Sequence, residues 1–361
     1  LHQASFQEDI MRATIIHGPG DIRVEERDYP SIIRATDAVV RVTASCVCGS
    51  DLWPYRGVRP TKEPKAIGHE FVGVVESVGD EVRNLAVGDF VIAPFVDSCG
   101  TCPQCRNGVT SACDHLAGWG STDEHGDFLQ GGQGEAVRVP QADGTLRKVD
   151  GVTEPDDALT ASLLTLSDVM STGHHAAVSA NVGPGSTVVV VGDGAVGLCG
   201  VLAAKRLGAQ RIIAMSRHED RQALAREFGA TDIVAERGDA GVERVRELLG
   251  GVLADSVLEC VGTKESMDQA LRSTRPGGHL GFVGVPAGGP ELPIGHLFAK
   301  NITVGGGMAP AHTYIPELLK DVLDGTIDPG RVFDVVMPLD DAAEAYRAMD
   351  ERRAIKVLLR P

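Results

Sequence analysis

Four cysteines stand at positions 99, 102, 105 and 113 in the run SCGTCPQCRNGVTSAC, with two, two and seven residues between successive thiols. Thiolates at this spacing can fold round one tetrahedral ion and close all four of its positions, so that the metal holds a loop and does no chemistry. An iron–sulfur cluster can use similar spacing and a CxxC can be a redox pair, but the first usually has other flanks and the second needs only two thiols. The expectation is structural zinc on Cys99, Cys102, Cys105 and Cys113. Two further thiols, Cys46 and Cys48, lie one residue apart in SCVCGSDLW. The alternation of AVVRVTASCVCG reads as a half-buried strand and would put both on one face. GHE, at 68–70, adds an imidazole and a carboxylate, His69 and Glu70, although a histidine standing alone is more often a hydrogen-bonded core residue than a ligand.

A different chemistry is written in VVVVGDGAVGLCG, which sets Gly192, Gly194 and Gly197 in G-x-G-x-x-G register after a strand and at the start of a helix. The first glycine permits a tight turn, the second lets a pyrophosphate approach the backbone, and the third allows close helix packing. In this strand–helix setting a dinucleotide cradle is a stronger reading than a merely tight turn. The next strand, RIIAMS, ends in Ser216 where an NAD-selective site would place an acid for the ribose 2′-hydroxyl. Arg217, His218 and Arg221 follow, and with Ser216 they offer a hydroxyl and cations to a 2′-phosphate, partly offset by Glu219 and Asp220. NADP is expected over NAD.

The elements that must position these groups fall into two textures. From Met11 to about residue 150, short β-type runs such as FVGVVESVG, DFVIAPF and GEAVRVP are punctuated by glycine, proline and aspartate. From about residue 160 buried strands alternate with helices, as in a parallel doubly wound sheet, and the class is therefore α/β. At 361 residues there is room for two cores, and the 44 glycines suit a loop-punctuated α/β protein. A formal charge of −16 with no basic block argues against nucleic acid as partner. No apolar run reaches the ~20 residues of a membrane helix. Residues 1–10, LHQASFQEDI, lack the basic start and apolar core of a signal peptide and read as a leader or expression remnant ahead of Met11. Eight cysteines without a secretion signal suggest reduced thiols and a cytoplasmic setting.

Taken in order from Met11, the CGSD and GHE segments, the four-cysteine loop, STG at 171–173, the glycine motif and the C-terminal tail resemble the zinc-containing medium-chain alcohol dehydrogenases. The Asp-ligand, NADP-type secondary-alcohol and formaldehyde dehydrogenase-like members are the most similar in motif. The resemblance implies a β-rich GroES-like catalytic domain at 11–164 and 310–361 and a Rossmann domain at 165–309. It also implies catalytic zinc on Cys48, His69 and Asp168, the last lying four residues before Thr172. One thiolate, one imidazole and one carboxylate leave such a site neutral, which makes the ion a better Lewis acid than two thiolates would. Glu70 would approach the metal during ligand exchange or support it from behind. Ser50 would begin a proton relay, while Trp53 occupies the place where relatives carry the histidine that ends it. Asp51 is then either an acceptor for that proton or a hydrogen-bond partner that sets the tautomer of His69. Cys46 drops out as a small buried neighbour. Thr172 and Val196 would back the nicotinamide, and Lys356 would meet the ribose or pyrophosphate. Phe95, Trp119 and Trp53 are candidates either for an apolar pocket wall or for core.

The implied activity is hydride transfer between a primary or secondary alcohol and NADP, with carbonyl reduction the reverse. A polyol, amino-alcohol or formaldehyde dehydrogenase using NAD and a non-catalytic zinc and NADPH sensor are the alternatives. By the same resemblance the strand in NITVGGG, residues 301–307, would join copies in a homodimer or homotetramer.

Overall fold

The computed structural model describes residues 10–286, 289 and 291–361, so the expected leader lies, apart from Ile10, outside the described residues. The chain divides into two compact units, one of Leu1–Ser167 with Phe333–Pro361 and one of Asp168–Val332.

The first unit is β-rich. Its larger sheet runs in the order Val335–Pro338, Val357–Arg360, Ala38–Cys46, Phe71–Val78, Phe90–Ala93 and Arg147–Lys148, with Ala136–Val139 also paired to Ala38–Cys46. Alternation along Ala38–Cys46 buries Val40 and Val42 against Phe71, Val75, Val91 and Val137. The C-terminal strand pairs antiparallel with the end of that same strand, Leu358 opposite Cys46 and Leu359 opposite Ser45. This pairing brings the chain's last residues beside the CGSD segment. A smaller antiparallel sheet of Asp21–Asp28, Ile10–Gly18 and Lys65–Ala66 leads directly into GHE.

The second unit is a six-stranded sheet in the order Asp232–Val234, Arg211–Met215, Thr187–Val191, Ala254–Glu259, Thr274–Phe282 and Thr303–Gly306. Every pair in it is parallel. Order 3-2-1-4-5-6 is that of a dinucleotide-binding doubly wound fold, with the ligand crevice at the carboxyl end of the first strand. TVVVV at 187–191 carries no polar residue after Thr187 because both faces of this central strand are covered. The α/β class read from the pattern is the class observed. Among the described residues no helix is long and apolar enough to cross a membrane.

One buried charge constrains the first unit. Arg138 is 1% exposed, and its guanidinium lies 3.0 Å from Asp37, itself fully buried, and 3.4 Å from Asp123. It also donates to the Phe128 carbonyl at 3.2 Å. Taking the cation away strands the Asp37 carboxylate in the core, a cost of about 3–5 kcal/mol. Arg138→Met is expected to lower the unit's stability by that amount in urea unfolding. A loss below about 1 kcal/mol would show that this pair does not hold the sheet.

Candidate active site and metal centres

The four-cysteine loop is built by backbone donors. The amides of Thr101 and Cys102 donate to Cys99 Sγ at 3.3 and 3.2 Å, those of Cys99 and His115 to Cys113 Sγ at 3.3 and 3.4 Å, and that of Cys105 to Cys102 Sγ at 3.5 Å. Burial pushes the Cys99 thiol up, but hydrogen bonds from Thr101 and Cys102 outweigh it and bring it down to about 6. The amides of Asp114 and Cys105 lower Cys102 as well. The Sγ atoms of Cys99 and Cys105, and of Cys102 and Cys113, are 4.0 Å apart. That is close to the ~3.8 Å edge of a tetrahedron with metal–sulfur bonds of about 2.3 Å. The donor set therefore fits one tetrahedral thiophilic ion, and none of the eight cysteines is in a disulfide.

A second group forms where CGSD and GHE meet. Cys48 caps the short turn Gly49–Asp51, and its amide donates to Asp51 Oδ2 at 3.0 Å. The other oxygen of Asp51 lies 3.3 Å from His69 Nδ1, which leaves Nε2 facing Ser50 Oγ at 3.5 Å. Of its two expected roles, the geometry gives Asp51 that of orienting the ring. His69 follows Gly68, whose φ of +98° favours glycine and whose added Cβ would sit 2.5 Å from Gln133 Cγ. Gln133, fully buried, donates to the Cys46 carbonyl at 3.0 Å and to Asp51 at 3.2 Å, and accepts from the Tyr346 hydroxyl at 3.1 Å. Gln133 carried no sequence signal, since a single glutamine between glycines looks like a loop residue.

Asp168 is joined by its peptide bond to Ser167, whose carbonyl accepts from the Phe95 amide at 3.0 Å. Potential ligand atoms of Cys48, His69 and Glu70 all lie within 4.8 Å of one another. Asp168 stands at the N-terminus of the helix Val169–Ser179, yet its side chain caps no backbone amide. Its Oδ1 accepts from Thr172 Oγ1 at 2.6 Å instead. A thiol, an imidazole and carboxylates are an N, O and S donor set suited to zinc.

Lys356 is paired with an acid of the GHE segment. It is 1% exposed, with Nζ 2.7 Å from Glu70 Oε1 and 3.2 Å from the Val47 carbonyl. Burial alone would lower its pKa, but the Cys46 and Glu70 side chains outweigh burial and hold it well above the ordinary lysine range. Burial also pushes the Cys46 thiol up. Cys46 is the small buried neighbour expected. Trp119 belongs to the core, its indole donating to the Pro94 carbonyl at 3.1 Å and its ring edge-on to Phe71, whereas Trp53 and Phe95 are half-buried.

In the second unit, the strand Thr187–Val191 leads through Gly192 to the helix Ala195–Arg206, capped by Gly194. A Cβ on Gly197 would lie 2.0 Å from the Gly192 carbonyl oxygen, so only glycine lets the helix start this close to the strand. At Gly194 an added Cβ would meet nothing within 4 Å, and the space over the exposed helix N-terminus suits a phosphate. Val196, the second residue of this helix, is half-buried. Ser216 is buried, Arg217 is exposed, and the His218 amide lies 3.4 Å from Ser216 Oγ. Asp193, the variable residue of GDG, accepts from Ser216 Oγ at 2.8 Å and lies 3.5 Å from Arg221 Nη1. The sequence displayed Asp193 inside its motif but not whom it would meet.

Known proteins resemble this chain along most of its length. Residues 34–150 match the alcohol dehydrogenase GroES-like domain, and residues 195–324 match the zinc-binding dehydrogenase model. The chain is 36% identical over 354 residues to "Probable zinc-binding alcohol dehydrogenase Rv1895" of Mycobacterium tuberculosis, covering 97% of this chain and 89% of that one. The alcohol dehydrogenase TADH from Thermus sp. ATN1 superposes with a TM-score of 0.88 at 35% identity, over 97% of this chain and 99% of its own. A chain from Sinorhizobium meliloti 1021, assigned to the zinc-binding dehydrogenases and bound to NADP, gives 0.82 at 28% identity over 98% and 100%. With both domain models matched and near full-length likeness on either side, the chain belongs to the zinc-type alcohol dehydrogenases of the medium-chain family and is an oxidoreductase.

Proposed function

We propose that the enzyme is an NADP-preferring alcohol dehydrogenase and carbonyl reductase with one catalytic and one structural zinc per chain. The observation that carries this reading is the convergence of Cys48, His69 and Glu70, to which the family resemblance adds Asp168 as a ligand. An ion held there would supply Lewis acidity toward the oxygen of an alcohol or carbonyl. The protein's own groups do the rest. Asp51 fixes His69 as a neutral ligand through Nδ1, and Thr172 Oγ1 steers one oxygen of Asp168. Ser50 Oγ, 3.5 Å from His69 Nε2, is placed to take the alcohol proton first. Asp51 already accepts from Cys48 and Gln133, and Trp53 cannot carry a proton, so the proton leaves Ser50 for water. Lys356 holds one oxygen of Glu70, keeping this carboxylate a supporting group.

The loop of Cys99, Cys102, Cys105 and Cys113 is read as the structural site. The reading of the dinucleotide as NADP rests on Ser216, Arg217, His218 and Arg221, in place of an acid at the end of Arg211–Met215. A homodimer or homotetramer is supported by the edge strand Thr303–Gly306 and by the exposed Ile294, Phe298 and Met308 near it in the chain. Eight unbridged thiols support the cytoplasm as compartment. Small alcohols and their carbonyls are the proposed substrates.

Two substitutions separate the two metal roles. Cys48→Ser should cut turnover by about 1,000-fold or more and reduce the metal count from two to one while thermal stability holds. Cys102→Ser should remove the other ion and lower the melting temperature by roughly 5 °C or more. Metal analysis, calorimetry and a panel of alcohols and carbonyls read the outcome, and a Cys48→Ser enzyme with undiminished activity would end the catalytic-zinc assignment. For the cofactor, Arg221→Ala should raise the KM for NADP about tenfold with little change for NAD. Equal effects on both would remove Arg221 from 2′-phosphate recognition.

A further inference from the structure

Asp193, an acid of the glycine loop, faces a hydroxyl and a cation that the motif reading assigned to a 2′-phosphate. We propose that Asp193 is a selectivity-determining residue of the dinucleotide site: its carboxylate engages the groups a 2′-phosphate needs and offers itself to a 2′-hydroxyl. The proposal rests on the reading that the second unit binds a nicotinamide dinucleotide.

The geometry is specific. Ser216 follows the strand Arg211–Met215 directly, is 1% exposed and donates its hydroxyl to Asp193 Oδ2 at 2.8 Å. Arg221, in the helix Glu219–Phe228, brings Nη1 to 3.5 Å from Asp193 Oδ1 and 3.3 Å from the Asp193 carbonyl oxygen. Side-chain exposure is only 10% for Arg221 and 15% for Asp193, so water screens the pair weakly. Two elements that sequence reading assigned to a phosphate therefore converge on one carboxylate.

An NAD-selective site places an acid at the end of the second strand to accept from the 2′-hydroxyl. Here Ser216 follows that strand, and the acid arrives from the glycine loop instead. A 2′-phosphate, carrying about −1.5 to −2 charges, would have to share Arg221 with Asp193 and lie against a like charge. A 2′-hydroxyl would find an acceptor and no repulsion. Asp193 thus restrains the NADP preference that Ser216 and Arg221 support, and lets the enzyme use NAD as well.

Asp193→Asn keeps an oxygen for the Ser216 hydroxyl and removes the charge, and Asp193→Ser is a smaller neutral replacement in case the amide disturbs folding. Calorimetric titration of the zinc-loaded enzyme with NADPH, NADH and 2′,5′-ADP reads the binding directly. In either variant NADPH and 2′,5′-ADP should bind about tenfold tighter, while NADH binds no tighter than to the unaltered enzyme. A ratio of NADPH to NADH affinity that stays within about twofold of the unaltered enzyme, or a weaker affinity for 2′,5′-ADP, would overturn the proposal. If the unaltered enzyme binds neither dinucleotide, the reading beneath the proposal fails and the proposal with it.

Discussion

The arrangement of Cys48 and His69 depends on one buried carboxylate. Asp51 is 5% exposed, and its two oxygens point at the two residues that carry the strongest donor atoms. One accepts the Cys48 amide and so fixes the turn that presents the thiol, and the other meets His69 Nδ1 and so leaves Nε2 outward. A carboxylate this enclosed is stable only because each oxygen is satisfied, with Gln133 supplying a further donor. Gln133 in turn occupies the space that a side chain at position 68 would need. The imidazole, the thiol and the turn between them are consequently positioned together, and rotating one would strand a polar group in another.

Behind this constellation the pair of Lys356 and Glu70 plays a comparable part from the far end of the chain. The two are separated by 286 positions in sequence and almost wholly buried. Charges so enclosed are tolerable only as a pair, since removing either partner would leave the other desolvated at a cost of about 3–5 kcal/mol. The pair exists because the strand Val357–Arg360 completes the sheet beside Cys46. Sheet register, and no local motif, therefore decides that Glu70 has a cation against it.

The second unit shows the same logic with weaker constraints. Its glycine loop is dictated by backbone crowding, because the carbonyl of Gly192 leaves no room for a Cβ at Gly197. The side chains around the loop are freer, and charge arranges them: Asp193 faces Ser216 and Arg221 across the gap between the first and second strands. Main-chain crowding thus fixes the loop, while side-chain charge arranges what surrounds it.

The sequence by itself determined whatever depends on neighbours along the chain. Period and punctuation were enough for the α/β class, the glycine register for the strand–turn–helix, and cysteine spacing for a loop whose four sulfurs meet, because each needs only a few residues to adopt one local conformation. The tertiary structure alone decided which distant groups face each other. It turned Lys356 toward Glu70, put Trp119 in the core, gave Asp51 to His69 and brought Gln133 beneath both, and it set Asp193 against the residues expected to wait for a phosphate. The physical reason is the same in each case: a buried polar group must find a partner, and only strand order and register determine which partner is within reach.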